Sequence, residues 1–285
     1  MNKIYFIHVQ THNIYENDSI YYINSFLKKI KRTAILLIVE NGNYQKNSFL
    51  SNYDNVEIFK IKGSNNYNEF SAFDEGKDYI YNNFSLNFND IFIFSNDTFY
   101  RHRYFFGIMQ RRFIVNFKIY ENSSNFLIGY LDKSKLKNHY IEKIKFDSHI
   151  STFFFISNYN TLKDYNFVYF NNNNTILNIN NKYLSINEVV NDYSTNIYNF
   201  LFKPSSSSWY KAINFEDIHK SSINYEKKIY SILNEHYLTI YIKKNKFFLI
   251  SIFPAKKFNV INIYKSVEDR IILILKELNF FNYLK

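Results

Sequence analysis

Over the first hundred residues, apolar and polar positions fall in blocks. Residues 4–9, IYFIHV, form an apolar run broken only by His8 and end in polar QTHN. A second run, AILLIVE, stops at Asn-Gly-Asn; a third, VEIFKI, covers residues 56–61; a fourth, DIFIFS, covers residues 90–95. Short continuous apolar runs bounded by turn residues predict strands buried on both faces. Between the first two, Ile23, Phe26, Leu27 and Ile30 recur at helical spacing. Asp18 or Ser19 stands where a cap belongs, and KKIKR at the far end suits the negative pole of the helix. A second helix is predicted over residues 69–80. The order strand, helix, strand, strand, helix, strand predicts a parallel sheet with helices on both faces. Such sheets bind ligands at the carboxyl ends of their strands. Here those ends read QTHN, ENGN, GSNN and NDTF, all polar.

The remainder is less regular. Residues 113–119 and 126–129 read as strands, and residues 149–158, HISTFFFISN, as a further buried one. Asn171 to Asn174 make a turn or loop. Ser185-Ile-Asn-Glu188 matches a capping box, with Val189, Val190, Ile197 and Leu201 suiting a helix after it. KPSSSSWYKA is a loop leading to the only Trp. Residues 223–243 have Ile229, Ile232, Leu233 and Leu238 at helical spacing, with a strand from Tyr237 as a rival reading. FFLISIF predicts a strand and residues 267–278 a closing helix. No internal repeat is evident.

Composition changes this picture little. The chain has 285 residues, enough for one large domain with a sizeable core. With 46% hydrophobic residues it is not of disordered type. Gly is 5 and Pro is 2, so turns rely on Asn and Asp. The Asn, Lys, Ile, Tyr and Phe excess resembles the imprint of an AT-rich genome, which weakens composition as a functional signal. The formal charge of +10 suits anionic partners or simple solubility equally. No cysteine is present, which removes thiol nucleophiles and thiolate metal sites and fits a cytoplasmic location. No secretory signal is visible, and no apolar run reaches the about 18 residues of a membrane span.

The chemistry-bearing residues gather at the strand ends. Asp97 follows the fourth strand, where one carboxylate can hold a divalent ion over a phosphate. The same position suits a turn or helix cap. Arg101, His102 and Arg103 follow at once; guanidinium groups grip phosphate in bidentate fashion, and a solvated basic face is the alternative. Glu69, Asp74 and Glu75 lie on the second helix, where an acid in the first turn is also favoured by the dipole. Asp147 is a candidate base and His149 a metal ligand or phosphate contact at the entry of a buried strand. GxGxxG, Walker A, HExxH and GxSxG motifs do not occur. Aromatic residues do not alternate with basic ones, so nucleic-acid binding has only charge behind it.

Two segments resemble a family. GSNNYNEFSAFDEGKDYI and DIFIFSNDTFYRHRYF are similar to bacterial glycosyltransferases of surface-polysaccharide clusters related to the rhamnan-synthesis F type. The first matches an N-x-x-EFS-x-x-(D/E)EG pattern from Asn66 to Gly76. The second matches an NDTF motif from Asn96 to Phe99 with a His after it, at His102. HISTFFFI and EKKIYSILNEHYLT resemble further family segments. The resemblance spans roughly residues 1 to 245. It implies a GT-A, Rossmann-like nucleotide-diphospho-sugar transferase sheet at 1–170, and a mostly helical part at 171–285 that completes the acceptor side. It implies a nucleotide-sugar donor near His8, Gln10, Thr11, Asn66, Glu69, Ser71, Asn96, Arg101, His102 and Arg103. Asp74 and Asp147 become the catalytic candidates, and Asp97 with His149 the metal candidates for Mn2+ or Mg2+. The acceptor would be a cell-surface or lipid-linked glycan. Separately, the basic charge and residues 267–278 suit peripheral contact with anionic lipid, and the apolar run 271–275 suits core burial at least as well. Ser95-Asn96-Asp97 carries a single carboxylate where a metal motif would carry two, which leaves a non-catalytic assembly protein as the alternative.

Overall fold

The computed structural model describes residues 2–12, 16–42, 56–102, 105, 107–133, 139–141, 144–146, 148–171, 177–180, 183–186 and 222–253. The expected helix after the capping box, the closing helix at 267–278, Asp147 and Arg103 lie outside them.

The four runs of the first hundred residues are strands β1 (Ile4–Gln10), β2 (Ala34–Glu40), β3 (Val56–Lys62) and β4 (Ile91–Asn96). Every residue of β1 is buried, as a central strand covered on both faces requires. Helices α1 (Glu16–Ile30) and α2 (Glu69–Asn83) fill the two predicted places. Next come the single turn α3 (Phe99–His102), helix α4 (Gly107–Tyr120) and strand β5 (Phe126–Lys133). Two short strands, β6 (His139–Ile141) and β7 (Ile144–Phe146), form a hairpin ahead of the long β8 (Ser148–Asn158). The single turn α5 (Tyr159–Leu162), a second hairpin of β9 (Leu177–Asn180) and β10 (Tyr183–Ile186), helix α6 (Ser222–Lys244) and β11 (Phe248–Ser251) complete the order.

The main sheet has seven strands in the order β11-β5-β8-β4-β1-β2-β3. Pairing is parallel from β3 to β4 and between β5 and β11, while β8 runs antiparallel to both its neighbours. The fold is therefore α/β with a mostly parallel, mixed sheet. β11 and α6 join this same sheet and core rather than a separate one.

One sheet face packs against α2 and α6, with Ile7, Val39, Phe73, Phe94, Phe155, Leu233 and Leu238 in the core. The other packs against α1 and α4, around Phe6, Phe26, Ile38, Ile93, Phe113 and Phe154. The first layer is close. A Cβ on Gly76 of α2 would lie 2.7 Å from Ile7 Cγ2 and 3.1 Å from Val39 Cγ2, so the glycine lets α2 approach the sheet.

Three expectations are corrected. Residues 113–119 belong to α4, because Met109, Phe113 and Phe117 repeat every four positions on its buried face. α6 continues through Tyr237, without the rival strand. Ser185 lies in β10 rather than at a helix cap. Among the described residues, no helix is long and apolar enough to cross a membrane.

Candidate functional site

β1 pairs with β2 on one side and β4 on the other, so the chain direction of the crossovers reverses at β1/β4. In open α/β sheets this switch point opens a crevice at the carboxyl ends of the strands. A buried polar chain runs into it. His8 is fully buried, with Nδ1 2.8 Å from Ser95 Oγ and Nε2 2.9 Å from Gln10 Oε1. Gln10 Nε2 donates to the His12 carbonyl at 2.6 Å, which fixes the amide so that Oε1 faces His8. His8 therefore carries its proton on Nε2 and accepts from the Ser95 hydroxyl. Burial pushes the His8 pKa down, against the pull of Asp97, and holds the ring neutral.

Asp97 ends β4 and is buried. Its Oδ2 accepts the backbone N–H groups of Thr11 at 2.9 Å and His12 at 2.7 Å, and lies 3.0 Å from His12 Nδ1. Within the described residues the carboxylate caps neither its own turn nor α3; it ties the end of β1 to the end of β4. Among the described residues, every hydrogen bond of Asp97 falls on Oδ2. Asn96 turns its side chain back onto Thr98, with Oδ1 accepting from Thr98 N and Oγ1.

A second wall faces this one. β8 outruns β4, since Ser95 pairs with Phe154 and the strand begins at Ser148. Thr152, from that overhang, donates its backbone N–H to Glu235 Oε1 of α6 at 3.2 Å, with its hydroxyl 3.3 Å away. Glu69, the first residue of α2, brings its carboxyl near the same Thr152 side chain. Two carboxylates thus flank one hydroxyl. Glu69 is half-buried, and protein crowds its carboxyl. Desolvation, with the charges of Glu235 and Asp97, pushes its pKa up to about 7. His149 Nε2 lies 3.9 Å from Glu235 Oε2, and its ring is 4.7 Å from that of His236.

The flank toward β3 is built of amides. Asn41 donates to Asn65 Oδ1 and to the Asn68 carbonyl, and Asn68 donates to Ser231 of α6. Asn65 and Asn68 both take positive φ, 54° and 53°. Lys60 bridges Glu16 and Glu40 at 2.7 and 3.4 Å.

The structure brings His8, Gln10, Thr11, Asn96 and Asp97 together on one wall, with Glu69 and His149 on the other. Ser71 accepts the Tyr67 N–H and donates to the Asn68 carbonyl, so it shapes the turn before α2. Asn66 is exposed on that turn. Arg101 and His102 lie on α3, at the same end of the sheet, and only their backbone is described. Asp74 does not join the cluster. Its two oxygens accept the Phe167 and Val168 N–H groups at 2.9 and 2.8 Å, and Lys77 lies 3.5 Å away. It anchors the chain that follows β8. Asp97 and His149 do not share a ligand group, and among the described residues no three His, Asp or Glu are grouped to hold a metal ion.

Sequence reasoning missed Thr152, Glu235 and Asn41 as site residues. Glu235 had two signals, its place in the EKKIYSILNEHYLT resemblance and a charge inside a helical stretch apolar at Ile232, Leu233, Tyr237 and Leu238. No family model matches the chain, and no curated protein or solved structure matches it either.

Proposed function

We propose that this protein is a glycosyltransferase of GT-A type that moves a sugar from a nucleotide-diphospho-sugar to a bacterial surface glycan. The observation that carries the reading is the Glu69 carboxyl, grouped with Glu235 and within the field of Asp97 at the strand ends beside the β1/β4 switch point. A carboxylate with a pKa near neutrality suits the removal of a proton from an acceptor hydroxyl. The motif resemblance around NEFSAFDEG and NDTF points the same way.

In this reading the donor nucleotide lies along the ends of β1 and β2, against Gln10, Thr11 and the Asn41 amides. Asp97 keeps its Oδ2 for the backbone of Thr11 and His12. Its Oδ1 would be the protein ligand for a divalent ion such as Mg2+, which commonly takes only one or two protein carboxylates. Such an ion would offset charge on the departing diphosphate. Arg101 and Arg103, which follow Asp97 in the sequence, are the cationic partners in this reading. Glu69 takes the acceptor proton as the bond between the anomeric carbon and the diphosphate breaks. Glu235 keeps the proton affinity of Glu69 high, and the Thr152 hydroxyl steadies the ionised carboxylate against it.

Release of nucleoside diphosphate from a panel of UDP-, GDP- and dTDP-sugars, with and without Mn2+, tests this reading. Turnover of one donor that Glu69→Gln lowers on the order of 100-fold or more supports it. Binding of a donor with no turnover under any condition would identify an assembly protein that retains the fold.

A further inference from the structure

Helix α4 has two unlike sides. Met109, Phe113 and Phe117 are buried in the second core layer. Arg111, Arg112, Val115, Lys118 and Ile119 recur at helical spacing on the opposite side and are all exposed. Val115 is 45% and Ile119 63% exposed. Single exposed aliphatic side chains are ordinary. These two are distinctive because they share a stripe with three cations, on a helix that contains no Asp or Glu.

The basic character extends onto the neighbouring helix. α1 packs beside α4, and Lys29 of α1 donates to Gln110 of α4. Exposed Lys28, Lys29 and Lys31 border the stripe, and α1 has no acid after Asp18. The acid at the far border, Glu121, is neutralised by Arg32 at 2.6 Å. Among the described residues, no ion pair engages Arg111, Arg112, Lys118, Lys28 or Lys31.

We propose that the outer face of α4, continued by the last turn of α1, docks the protein on an anionic lipid bilayer. Cations flanking exposed aliphatic side chains on a helix that lies flat match the two layers of a bilayer interface, charged headgroups above and acyl chains below. The helix has 14 residues, about 21 Å, and carries three charges, so it lies in the interface rather than crossing it. A nucleic acid or an acidic protein would use the cations and gain little from Val115 and Ile119. The face lies on the opposite side of the sheet from α2 and α6, which supply Glu69 and Glu235. Docking therefore leaves the cleft open and does not depend on the reaction proposed for it.

Co-sedimentation of the full chain with phosphatidylcholine vesicles, with and without phosphatidylglycerol, tests the proposal. The wild type pellets with the anionic vesicles alone, and less so at high salt. Each cation removed costs about fivefold in partitioning, so Arg111→Gln with Arg112→Gln loses about 25-fold. Val115→Ser with Ile119→Ser loses about tenfold at unchanged charge. Both pairs keep the wild-type circular dichroism and melting midpoint, and Lys163→Gln with Lys246→Gln, away from the face, binds as the wild type does. A wild type that stays in the supernatant overturns the proposal. So does equal loss in the Lys163/Lys246 control, which would reduce the effect to net charge. Undiminished binding of the Val115/Ile119 variant, with displacement by an oligonucleotide, would overturn it in favour of a nucleic-acid partner.

Discussion

Asp97 Oδ2 accepts the His12 backbone N–H at 2.7 Å, so the carboxylate that ends β4 holds the chain leaving β1. The same oxygen accepts Thr11 N–H at 2.9 Å. Asp97 therefore has a structural duty on one oxygen and is open to a ligand duty on the other. The two duties separate by mutation.

Asp97→Ala leaves two backbone donors without their acceptor and is expected to cost about 2–4 kcal/mol of stability. Asp97→Asn keeps one carbonyl oxygen for those donors and is expected to cost about 1 kcal/mol. If Oδ1 serves a metal–diphosphate, both variants lose Mn2+-dependent donor binding to a similar extent. Chemical denaturation beside titration calorimetry of the two variants checks this. Full donor affinity in a folded Asp97→Asn would confine the residue to its clasp.

Asp74 behaves differently. Its oxygens are engaged by Phe167 and Val168 N–H, and buried Lys77 is its neighbour. Asp74→Ala strands two donors and a buried cation, so a loss of about 3 kcal/mol is expected. The folded fraction should keep its turnover. A variant of wild-type stability with abolished turnover would return Asp74 to the catalytic role its sequence position suggests.

Glu69 gives opposite pH trends for stability and rate. Burial lifts its pKa from 4.5 to about 7, so the folded state holds this proton more tightly than the unfolded state. Its favourable contribution is complete below about pH 4.5, declines as pH rises toward 7, and amounts to at most about 3 kcal/mol. Glu69→Gln should flatten that decline in denaturation curves at about pH 5 and pH 8. As a base, Glu69 works ionised, so kcat/KM should climb through the same interval. A rate that falls there would assign the proton the other way, to an acid role.

Gly76 tests the closeness of α2 to the sheet. A helical Gly→Ala change gains about 1 kcal/mol in propensity. Here the new methyl would lie 2.7 Å from Ile7 Cγ2 in a fully buried strand. Overpacking of about 1–3 kcal/mol outweighs the gain, and a lowered melting midpoint is expected. A raised midpoint would mean that Ile7 and Val39 yield freely.

The local parts of this fold were legible because their signals are local. The four polar strand ends and the start of α2 at Glu69 follow from short runs and spacings. α4 was misread because Ile114, Val115 and Ile119 have the branching of strand residues, while two of them face outward and blur the Met109–Phe113–Phe117 period. The reversal of β8 was not legible, since strand direction depends on pairing with distant segments. The second wall of the cleft was hidden for the same reason. Thr152 and Glu235 are 83 positions apart and meet only when α6 packs on β8.

Titration calorimetry of the full chain with UDP-, GDP-, CMP- and dTDP-sugars, with and without Mn2+, tests the central claim most directly. The account predicts saturable binding of one nucleotide class that Mn2+ strengthens and Asp97→Asn weakens. Absence of binding for every donor, with a protein that melts cooperatively, would contradict a nucleotide-sugar site at the β1/β4 switch point.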